Sequence, residues 1–364
     1  MARMNGERIG GILLGTLRSC ASVLGTSVSF PSSAAGPAKI RRMRRHTVHT
    51  ALLVALFVVC MRGAQQTAPT MRQLAGTWTL VSIERPGAGD RLTALPFPRG
   101  LLVLDSAGHI FEGVQHGRPQ GAPALGDRQS VFATFGGFWG SYRVDASGQS
   151  LTISARGAVH PNLQGAEFTR SFTLGADPPR ISPTSHPARL TMTAGASEPF
   201  AGTRWTWERV PPVENLSPAY RQVAGFWEHV IEKRINLTTG ASQDTTRAPS
   251  VIVYTPSGYV GVHFPPRSRA KLSSDQPSED EARASLAGYV GYFGALTVYR
   301  DQVFHHPLAN IGLVAAGNTI KRFYEISGDT AAITFPATAN NQGQQETTTV
   351  TLKRLSGIDD MLPR

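Results

Sequence analysis

Cysteine is almost absent from this sequence. The chain of 364 residues holds two, Cys20 and Cys60, and both lie in its first 63 residues. A segment without cysteine can form neither a disulfide framework nor a cysteine-ligated metal site. Residues 64–364 are therefore predicted to contain neither, and we expect no metal and no cofactor.

A large positive field is absent from the main part of the chain, although the whole sequence carries a net charge of +11. Residues 1–63 hold nine Lys or Arg and one Glu, and so supply +8 of this charge. Residues 64–364 hold 27 basic and 24 acidic residues, a balance of +3. Proteins that bind the phosphate backbone concentrate many positive charges on one face. Nucleic acid is therefore not a predicted partner.

Long helical periodicity and established catalytic motifs are missing as well. The sequence has no Gly-rich phosphate loop, no Gly-x-Ser-x-Gly elbow and no His-Glu-x-x-His. The best helix candidate is 278–286, SEDEARASL, which has an acidic first turn. Elsewhere short apolar runs such as 102–104 and 251–254 end in turn residues, which is typical of β-strands.

The first 64 residues resemble a leader followed by a targeting signal. Residues 1–42 are rich in Ser, Ala, Gly and Arg, and are predicted to be a disordered or untranslated leader. Residues 43–64 are predicted to be a signal peptide, because a basic stretch precedes the apolar run 51–59. Lipidation of Cys60 and an uncleaved N-terminal anchor are the alternatives. The expected location is secreted or periplasmic, with no stable membrane insertion after processing.

A repeat organises the rest of the chain. Residues 72–78 read RQLAGTW, and 149 positions later residues 221–227 read RQVAGFW, with five of the seven residue types identical. Further segments correspond in the same order: 101–108 with 251–258, 137–144 with 291–298, and 169–174 with 321–326. A period near 150 residues matches a whole domain rather than a solenoid unit.

The two copies define the predicted domains. Copy one is placed at 71–211 and copy two at 219–356, with a Pro-bearing linker between them and a polar tail, 357–364, that is expected to fray. Each copy reads as short strands with turns at intervals of about ten residues. The predicted fold class is therefore all-β, with two consecutive antiparallel β-barrels and little helix.

The opening of each copy resembles the lipocalin-like domain family of bacteria and fungi. Gly76-x-Trp78 pairs with Arg209 in copy one, and Gly225-x-Trp227 pairs with Arg354 in copy two. The resemblance implies that the Trp closes the floor of the barrel and that the Arg lies across the indole. It also implies a cavity for a small molecule.

Further elements of the resemblance recur in order. They are a strand ending in Gly, an aromatic strand, a His near a Pro, and a strand bearing Arg. Copy one supplies Gly108, Tyr142, His160 and Arg170, and copy two supplies Gly258, Tyr292, His305 and Arg322. Copy one departs from copy two at Ile153, which answers to His305.

Alternation on the Arg-bearing strands predicts an inward guanidinium in each copy. Arg322 shares a face with Ile320 and Tyr324, and Arg170 shares one with Phe168 and Phe172. A buried guanidinium keeps its charge and needs a partner. Two interpretations stay open: an anchor for a ligand carboxylate or carbonyl, and an internal ion pair.

His305 is a candidate interior histidine. It could form a polar cluster with Arg322 and Tyr292 and act as a base or donor, or it could be a satisfied core or rim residue. A metal pair with His306 is disfavoured because neighbours on a strand face opposite sides. The predicted ligand-binding residues are Arg322, His305, Tyr292, Tyr324, Arg170 and Tyr142.

The predicted function is an exported lipocalin-like protein that binds or carries a small apolar molecule with a polar head, with copy two favoured. The alternative is an isomerase, cyclase or hydratase acting on a lipid-like or polyketide substrate in copy two. His305 would then move the proton, and Arg322 would stabilise an oxyanion. The apparent lack of an acidic pair on the inward face counts against this alternative. A third interpretation is a structural protein whose barrels are filled by side chains.

Overall fold

The computed structural model describes residues 70–117, 128–175, 187–311 and 317–363, apart from 88, 90 and 200. The predicted leader and signal peptide lie outside these residues. The described helices are short: α1 Met71–Leu74, α2 Arg128–Thr134, α3 Pro218–Val223, α4 Glu279–Leu286 and α5 Ile358–Met361. None of these described helices is long and apolar enough to cross a membrane.

Barrel one is a closed sheet of eight antiparallel strands with one added strand. Its strands are β1 Gly76–Pro86, β2 Leu92–Ala94, β3 Arg99–Leu104, β4 His109–Gln115, β5 Phe135–Val144, β6 Ser150–Ala158, β7 Glu167–Leu174, β8 Arg189–Ala194 and β9 Arg204–Val210. From β3 onward each strand pairs with the next, and β9 returns to pair with β1, which closes the barrel. Strand β2 pairs only with the end of β1.

Barrel two repeats this arrangement with two added strands. Its strands are β10 Gly225–Asn236, β11 Ser242–Thr245, β12 Val251–Tyr254, β13 Tyr259–Phe264, β14 Val290–Val298, β15 Gln302–Ile311, β16 Ile320–Ser327, β17 Thr330–Thr334, β18 Thr338–Ala339 and β19 Gln345–Gly357. Strand β19 pairs with β10 and closes the barrel, while β11 and β18 lie outside the closed sheet. The predicted all-β fold of two antiparallel barrels is confirmed.

An indole covered by a guanidinium closes one end of each barrel. Trp78 is fully buried, its Nε1 donates to the Leu74 carbonyl at 3.0 Å, and the Arg209 guanidinium lies 4.4 Å from its ring. Trp227 is 1% exposed, and Arg354 covers its ring at 4.0 Å. Each Trp is also paired with its Arg across neighbouring strands. The closure predicted from the Gly-x-Trp repeat is present in both copies.

The two barrels share an apolar core between their outer faces. Strands β3 and β12 are buried along their whole apolar runs, 101–104 and 251–254, because one face fills a barrel and the other faces the second barrel. Within this shared core the Phe111 ring lies on Gly261, so a Cβ on that glycine would be 2.3 Å from the ring. The Phe293 ring lies on Gly113 in the same way, at 2.7 Å. Strand glycines often mark such close approaches.

The chain end differs from its prediction, whereas the predicted helix is confirmed. The tail was expected to fray, but Ile358–Met361 forms α5 and Met361 is fully buried in the shared core. Its Asp360 carbonyl also accepts a hydrogen bond from the Ser106 amide at 2.8 Å. The expectation of fraying is therefore wrong, since the tail packs between the barrels. Helix α4 begins after Ser278, which forms a capping box with Glu281.

Candidate functional site

Barrel one contains a cavity of about 90 Å³ toward the end opposite its Trp78 floor. Later residues of β1, Ile83 and Arg85, line it, whereas Trp78 lies at the start of that strand. Helix α2 contributes to the rim through Phe132 and Ala133. The remaining contacts include three charged side chains: Glu112, Arg170 and Glu198.

These three side chains form a buried ion-pair cluster, the Glu–Arg–Glu triad. Arg170 is 3% exposed, and Glu112 and Glu198 are 2% and 6% exposed. The Arg170 Nη1 donates to Glu112 Oε2 at 2.5 Å, and Nη2 donates to Glu198 Oε2 at 2.7 Å. Its Nε lies 3.0 and 2.9 Å from the two Glu198 oxygens. Arg170 thus has the internal ion pair that was one of its two predicted interpretations.

Electrostatics within the triad are unbalanced. Two carboxylates face one guanidinium, which gives a net charge of −1 when both are ionised. Burial raises the pKa of Glu112, an effect that Arg170 opposes and Glu198 reinforces. Burial alone would lower the pKa of Arg170, but the two carboxylates raise it above its ordinary value. The guanidinium therefore stays charged, and burial makes the Glu112 carboxyl easier to protonate than an exposed glutamate, as its raised pKa indicates.

Aromatic rings and a basic rim complete the cavity. The Arg170 guanidinium lies 4.3 Å from the Trp205 ring and 5.1 Å from the Phe138 ring, and both rings line the cavity. At the rim Arg85 Nη2 is 3.4 Å from His116 Nε2. Burial, and then the charge of Arg85, lower the pKa of His116. This histidine is therefore neutral near pH 7.

Barrel two brings together the polar residues predicted for copy two. His305 is 1% exposed, its Nδ1 is 2.7 Å from the Tyr292 hydroxyl, and its Nε2 is 3.2 Å from the Tyr254 hydroxyl. Burial lowers the pKa of His305 to about 3, with further contributions from Arg322 and His306. The ring is neutral, with one nitrogen donating and the other accepting.

Arg322 lies beside this cluster, and among the residues that the structure describes it has no acidic partner. Its guanidinium stacks on Phe335 at 3.7 Å, and Nη1 donates to the Lys321 carbonyl at 2.7 Å. In the part of the chain that the structure describes, no carboxylate lies within 4.0 Å of this guanidinium. Burial lowers the pKa of Arg322, although nearby Tyr292 and Tyr254 act in the opposite direction.

The other predicted residues have partners within the protein. The Tyr324 hydroxyl donates to the carbonyls of Tyr299 and Arg300, at 3.0 Å each. The Tyr142 hydroxyl donates to the Asp105 carbonyl at 2.8 Å, and Tyr142 is not among the residues that line the cavity. The ligand contacts assigned to these two tyrosines stay predictions.

The histidines that the motif aligns lie at different places in the two barrels. His306 contacts Thr297 and Thr319 at 3.1 Å on the side of β15 opposite to His305, as alternation predicts. His160, which the motif aligns with the copy-two histidines, lies in a turn after β6 and lines the barrel-one cavity. Among the described residues no group of three or more His, Cys, Asp or Glu side chains is placed to hold a metal.

An acidic pair does face the interior of barrel one, so the expectation that the inward face lacks one is wrong. The sequence carried a signal for Glu112, because it alternates with the apolar Ile110 and Val114 on β4. Trp205 could also have been found, since it alternates with Trp207. Glu198 could not, because it lies in the turn after β8.

Closed eight-stranded barrels with an indole–guanidinium floor and an interior cavity define a lipocalin-like architecture. The family described as "Lipocalin-like domain" matches residues 241–355, which cover most of barrel two. The resemblance predicted from the sequence is thereby confirmed, and the two barrels fit a tandem pair. This fold supports a ligand-binding role in general.

Two solved structures are similar to this chain at 10% sequence identity each. One is an uncharacterized protein, YLR301w, of Saccharomyces cerevisiae, with a TM-score of 0.38, covering 77% of this chain and 98% of that one. The other is a protein of unknown function from the DUF3598 family of Nostoc punctiforme, with a TM-score of 0.21, covering 80% of this chain and 100% of that one. The comparison with curated proteins finds no match.

Proposed function

We propose that the protein binds or carries a small apolar molecule with a polar head, and that barrel one holds it. The observation that carries the proposal is the cavity with its charged triad inside an aromatic wall. Binding sites for small molecules are mostly apolar and contain a few convergent polar groups. Phe138 and Trp205 supply the apolar wall, and Glu112 supplies a polar contact.

The cavity size limits the ligand. An apolar cavity of about 150 Å³ accepts benzene, and the cavity of barrel one is about 90 Å³. The part of the ligand that enters is therefore no larger than a few carbon atoms with one polar group. A longer body would extend past the rim at Arg85 and His116.

A cavity-filling substitution tests this function. Gly136 lines the cavity, and a Cβ at this position would be 3.4 Å from Val114, so Gly136→Leu would fill space that the ligand needs. Gly175→Leu, at an exposed position after β7, is the matched control. We expect native mass spectrometry of the purified full chain, and ligand-observed NMR with isobutanol, to detect binding to wild type and to Gly175→Leu. For Gly136→Leu, neither native mass spectrometry nor NMR with isobutanol should detect a bound molecule. Equal binding by both variants, or no binding by wild type, would refute the barrel-one site.

A second candidate site is the polar cluster of barrel two, as the sequence favoured. Its support is Arg322, which stacks on Phe335 and has no described carboxylate nearby. A ligand carboxylate or carbonyl would supply that missing partner. We expect Arg322→Ala to abolish binding of an acidic ligand such as isobutyrate while circular dichroism stays unchanged. Unchanged binding would remove Arg322 from the site.

The catalytic alternative, an isomerase, cyclase or hydratase, is favoured by one observation in the same barrel. His305 lies between two tyrosine hydroxyls, and such a chain of hydrogen bonds can pass a proton from one hydroxyl to the other. Turnover of a lipid-like or polyketide substrate that His305→Ala abolishes would support it. Turnover that survives this substitution would exclude His305 as the base.

Export is proposed from residues 41–59 alone, where a basic stretch precedes an apolar run. N-terminal sequencing of the protein recovered from the medium or the periplasm should give a start between Cys60 and Gln65. Recovery only from the cytoplasm with an intact N-terminus would contradict export.

A further inference from the structure

The charge of the barrel-one cavity specifies its ligand further than the fold does. Its polar end consists of three buried side chains, two of them acidic and one basic. Buried charges are stable when each has an opposite partner. The triad has one basic group too few. Burial raises the pKa of Glu112, and the negative charge of Glu198 adds to this rise.

The guanidinium of Arg170 already forms its hydrogen bonds within the protein. Its Nε and both terminal nitrogens donate to carboxylate oxygens of Glu112 and Glu198. An anionic head that approached Arg170 would also approach these two carboxylates. Repulsion between like charges in a medium of low dielectric constant would offset the attraction to Arg170. The triad end of the cavity therefore disfavours a carboxylate or phosphate, whereas the Arg85 guanidinium lies at the rim.

One acceptor in the triad is still available. Glu198 Oε1 accepts from the Gly195 amide at 3.1 Å as well as from Arg170, and its Oε2 accepts from Arg170. Glu112 accepts from Arg170 through Oε2, whereas its Oε1 receives no hydrogen bond from the described side chains. Glu112 is 98% buried and lines the cavity, so this oxygen is an unpartnered acceptor for a molecule inside it.

The cavity walls also favour a cation over an anion. The faces of aromatic rings carry a partial negative charge and attract cations. Phe138 and Trp205 already stack on Arg170, at 5.1 and 4.3 Å, and both line the cavity. A second cation would meet these rings and the free Glu112 oxygen together.

We propose that barrel one binds a compact organic cation, a primary ammonium group on a small apolar body, with the ammonium on Glu112. This inference rests on the proposed function of the cavity and specifies its ligand class. The ammonium donates to Glu112 Oε1 and balances the triad, and the apolar body fills the space of about 90 Å³ beside the aromatic wall.

Three probes of one shape test the proposal on the full chain carrying Arg322→Ala, which removes the candidate carboxylate site of barrel two. Isobutylamine is a cation at neutral pH, isobutanol is neutral, and isobutyrate is an anion. We expect isothermal titration calorimetry to give a dissociation constant at least tenfold lower for the amine than for the alcohol, and the weakest binding for the carboxylate. Glu112→Gln should remove the advantage of the amine. Glu167→Gln, which changes an exposed carboxylate of β7 on the same barrel, should keep it.

The outcomes separate the two proposals. If the alcohol or the carboxylate binds to barrel one as tightly as the amine, the cation preference is wrong and the small-molecule function stands. If none of the three binds, the small-molecule function of barrel one fails as well. If the amine is preferred but Glu112→Gln binds it equally tightly while Gly136→Leu does not, the ammonium is not on Glu112 and the proposal is overturned. The comparison of the three probes does not depend on Glu112→Gln, so it holds even if that variant folds poorly.

Discussion

One arginine position has opposite environments in the two barrels. Arg170 pairs with Leu151 and Arg322 pairs with Val303, so the two occupy equivalent places on equivalent strands. Barrel one surrounds its arginine with carboxylates, and barrel two places it beside a neutral His305 and an aromatic ring. The duplicated arginine therefore creates two different electrostatic sites within one fold.

Arg170→Met should destabilise the protein strongly, because it leaves two buried carboxylates without a cation. Removing one partner of a buried ion pair costs about 3–5 kcal/mol. Arg143→Met, which removes an exposed arginine on β5, should cost less than about 1 kcal/mol. Urea unfolding followed by tryptophan fluorescence gives both values.

The loss of stability in Arg170→Met should depend on pH in a definite direction. The folded-state pKa of Glu112 is already raised by burial, and loss of Arg170 would raise it further. A carboxyl whose pKa is raised by folding loses stability as pH rises through that pKa. The deficit of Arg170→Met should therefore be smaller at pH 5 than at pH 8. A deficit that is constant over this range would contradict the electrostatic explanation.

For His305 we expect the opposite pH dependence, so that the stability of the fold decreases as pH falls. Burial lowers its pKa from the ordinary value of 6.5 to about 3, so the unfolded chain binds the proton more readily in that window. The stabilisation is present above pH 6.5 and is lost as pH falls toward 3. The slope approaches about 1.4 kcal/mol per pH unit for one group. His305→Gln should lose less stability than wild type between pH 6.5 and pH 4.5 in urea titrations. Parallel curves would show that His305 binds a proton equally well in the folded and the unfolded chain.

At the scale of elements, a short helix, a tryptophan and a distant arginine form one closing unit. The Arg354 Nη1 donates to the Ala224 carbonyl at 3.0 Å and Nη2 donates to the Gln222 carbonyl at 2.7 Å, at the C-terminal end of α3. The Trp227 indole donates to the Val223 carbonyl at 2.8 Å. Carbonyls at the end of a helix have no hydrogen-bond donor within the helix, and here Arg354 and Trp227 supply the donors.

Arg354→Met should lower the free energy of unfolding by about 2 kcal/mol, because hydrogen bonds from a charged donor contribute about 1.5–3 kcal/mol. Lys353→Met, at the exposed neighbouring position on β19, is the matched control and should change it by less than about 0.5 kcal/mol. Chemical unfolding at neutral pH measures both. Equal effects would mean that the arginine contributes only its apolar stem.

The elements were predictable where the pattern is local or repeated. Gly-x-Trp recurs with a distant Arg, and the closure of both barrels followed from the family resemblance that these residues carry. The acidic start of α4 followed from the local pattern. The apolar runs of β3 and β12 were predicted only to be strands. Their continuity fits the burial on both faces that the structure shows, since a strand with one wet face alternates.

What the sequence could not supply depends on contacts between distant parts of the chain. Glu198 reaches Arg170 from a turn, and no periodicity describes a turn. Tyr142 shares the inward face of β5 with Phe138, yet the cavity extends to Phe138 and not to Tyr142. The polar tail became helix α5 because the space between the barrels accepts Met361, and that space exists only in the folded pair.

At the scale of the molecule, the shared apolar core should make the two barrels unfold together. Gly261→Ala would place a methyl group 2.3 Å from the buried Phe111 ring, which cannot move aside easily. Overpacking of this kind costs about 1–3 kcal/mol. We expect differential scanning calorimetry to change from one transition in wild type to two in the variant, as the barrels separate energetically.

Two further variants define that result. Gly175→Ala, at an exposed position, should leave the single transition intact. Adding Phe111→Leu to Gly261→Ala should restore part of the lost coupling, because the shorter side chain leaves room for the methyl group. Two transitions already present in wild type would contradict cooperative unfolding of the pair.

The contact between the Phe111 ring of barrel one and Gly261 of barrel two also affects which barrels can pack against each other. Phe111 pairs with Val103 and Trp139, and Gly261 pairs with Val253 and Phe293, so they hold the same position in the duplicated unit. Two first halves docked in this geometry would collide ring on ring, and two second halves would leave a hollow. Divergence at this position therefore favours the pairing of a first half with a second half over the pairing of either half with its own duplicate.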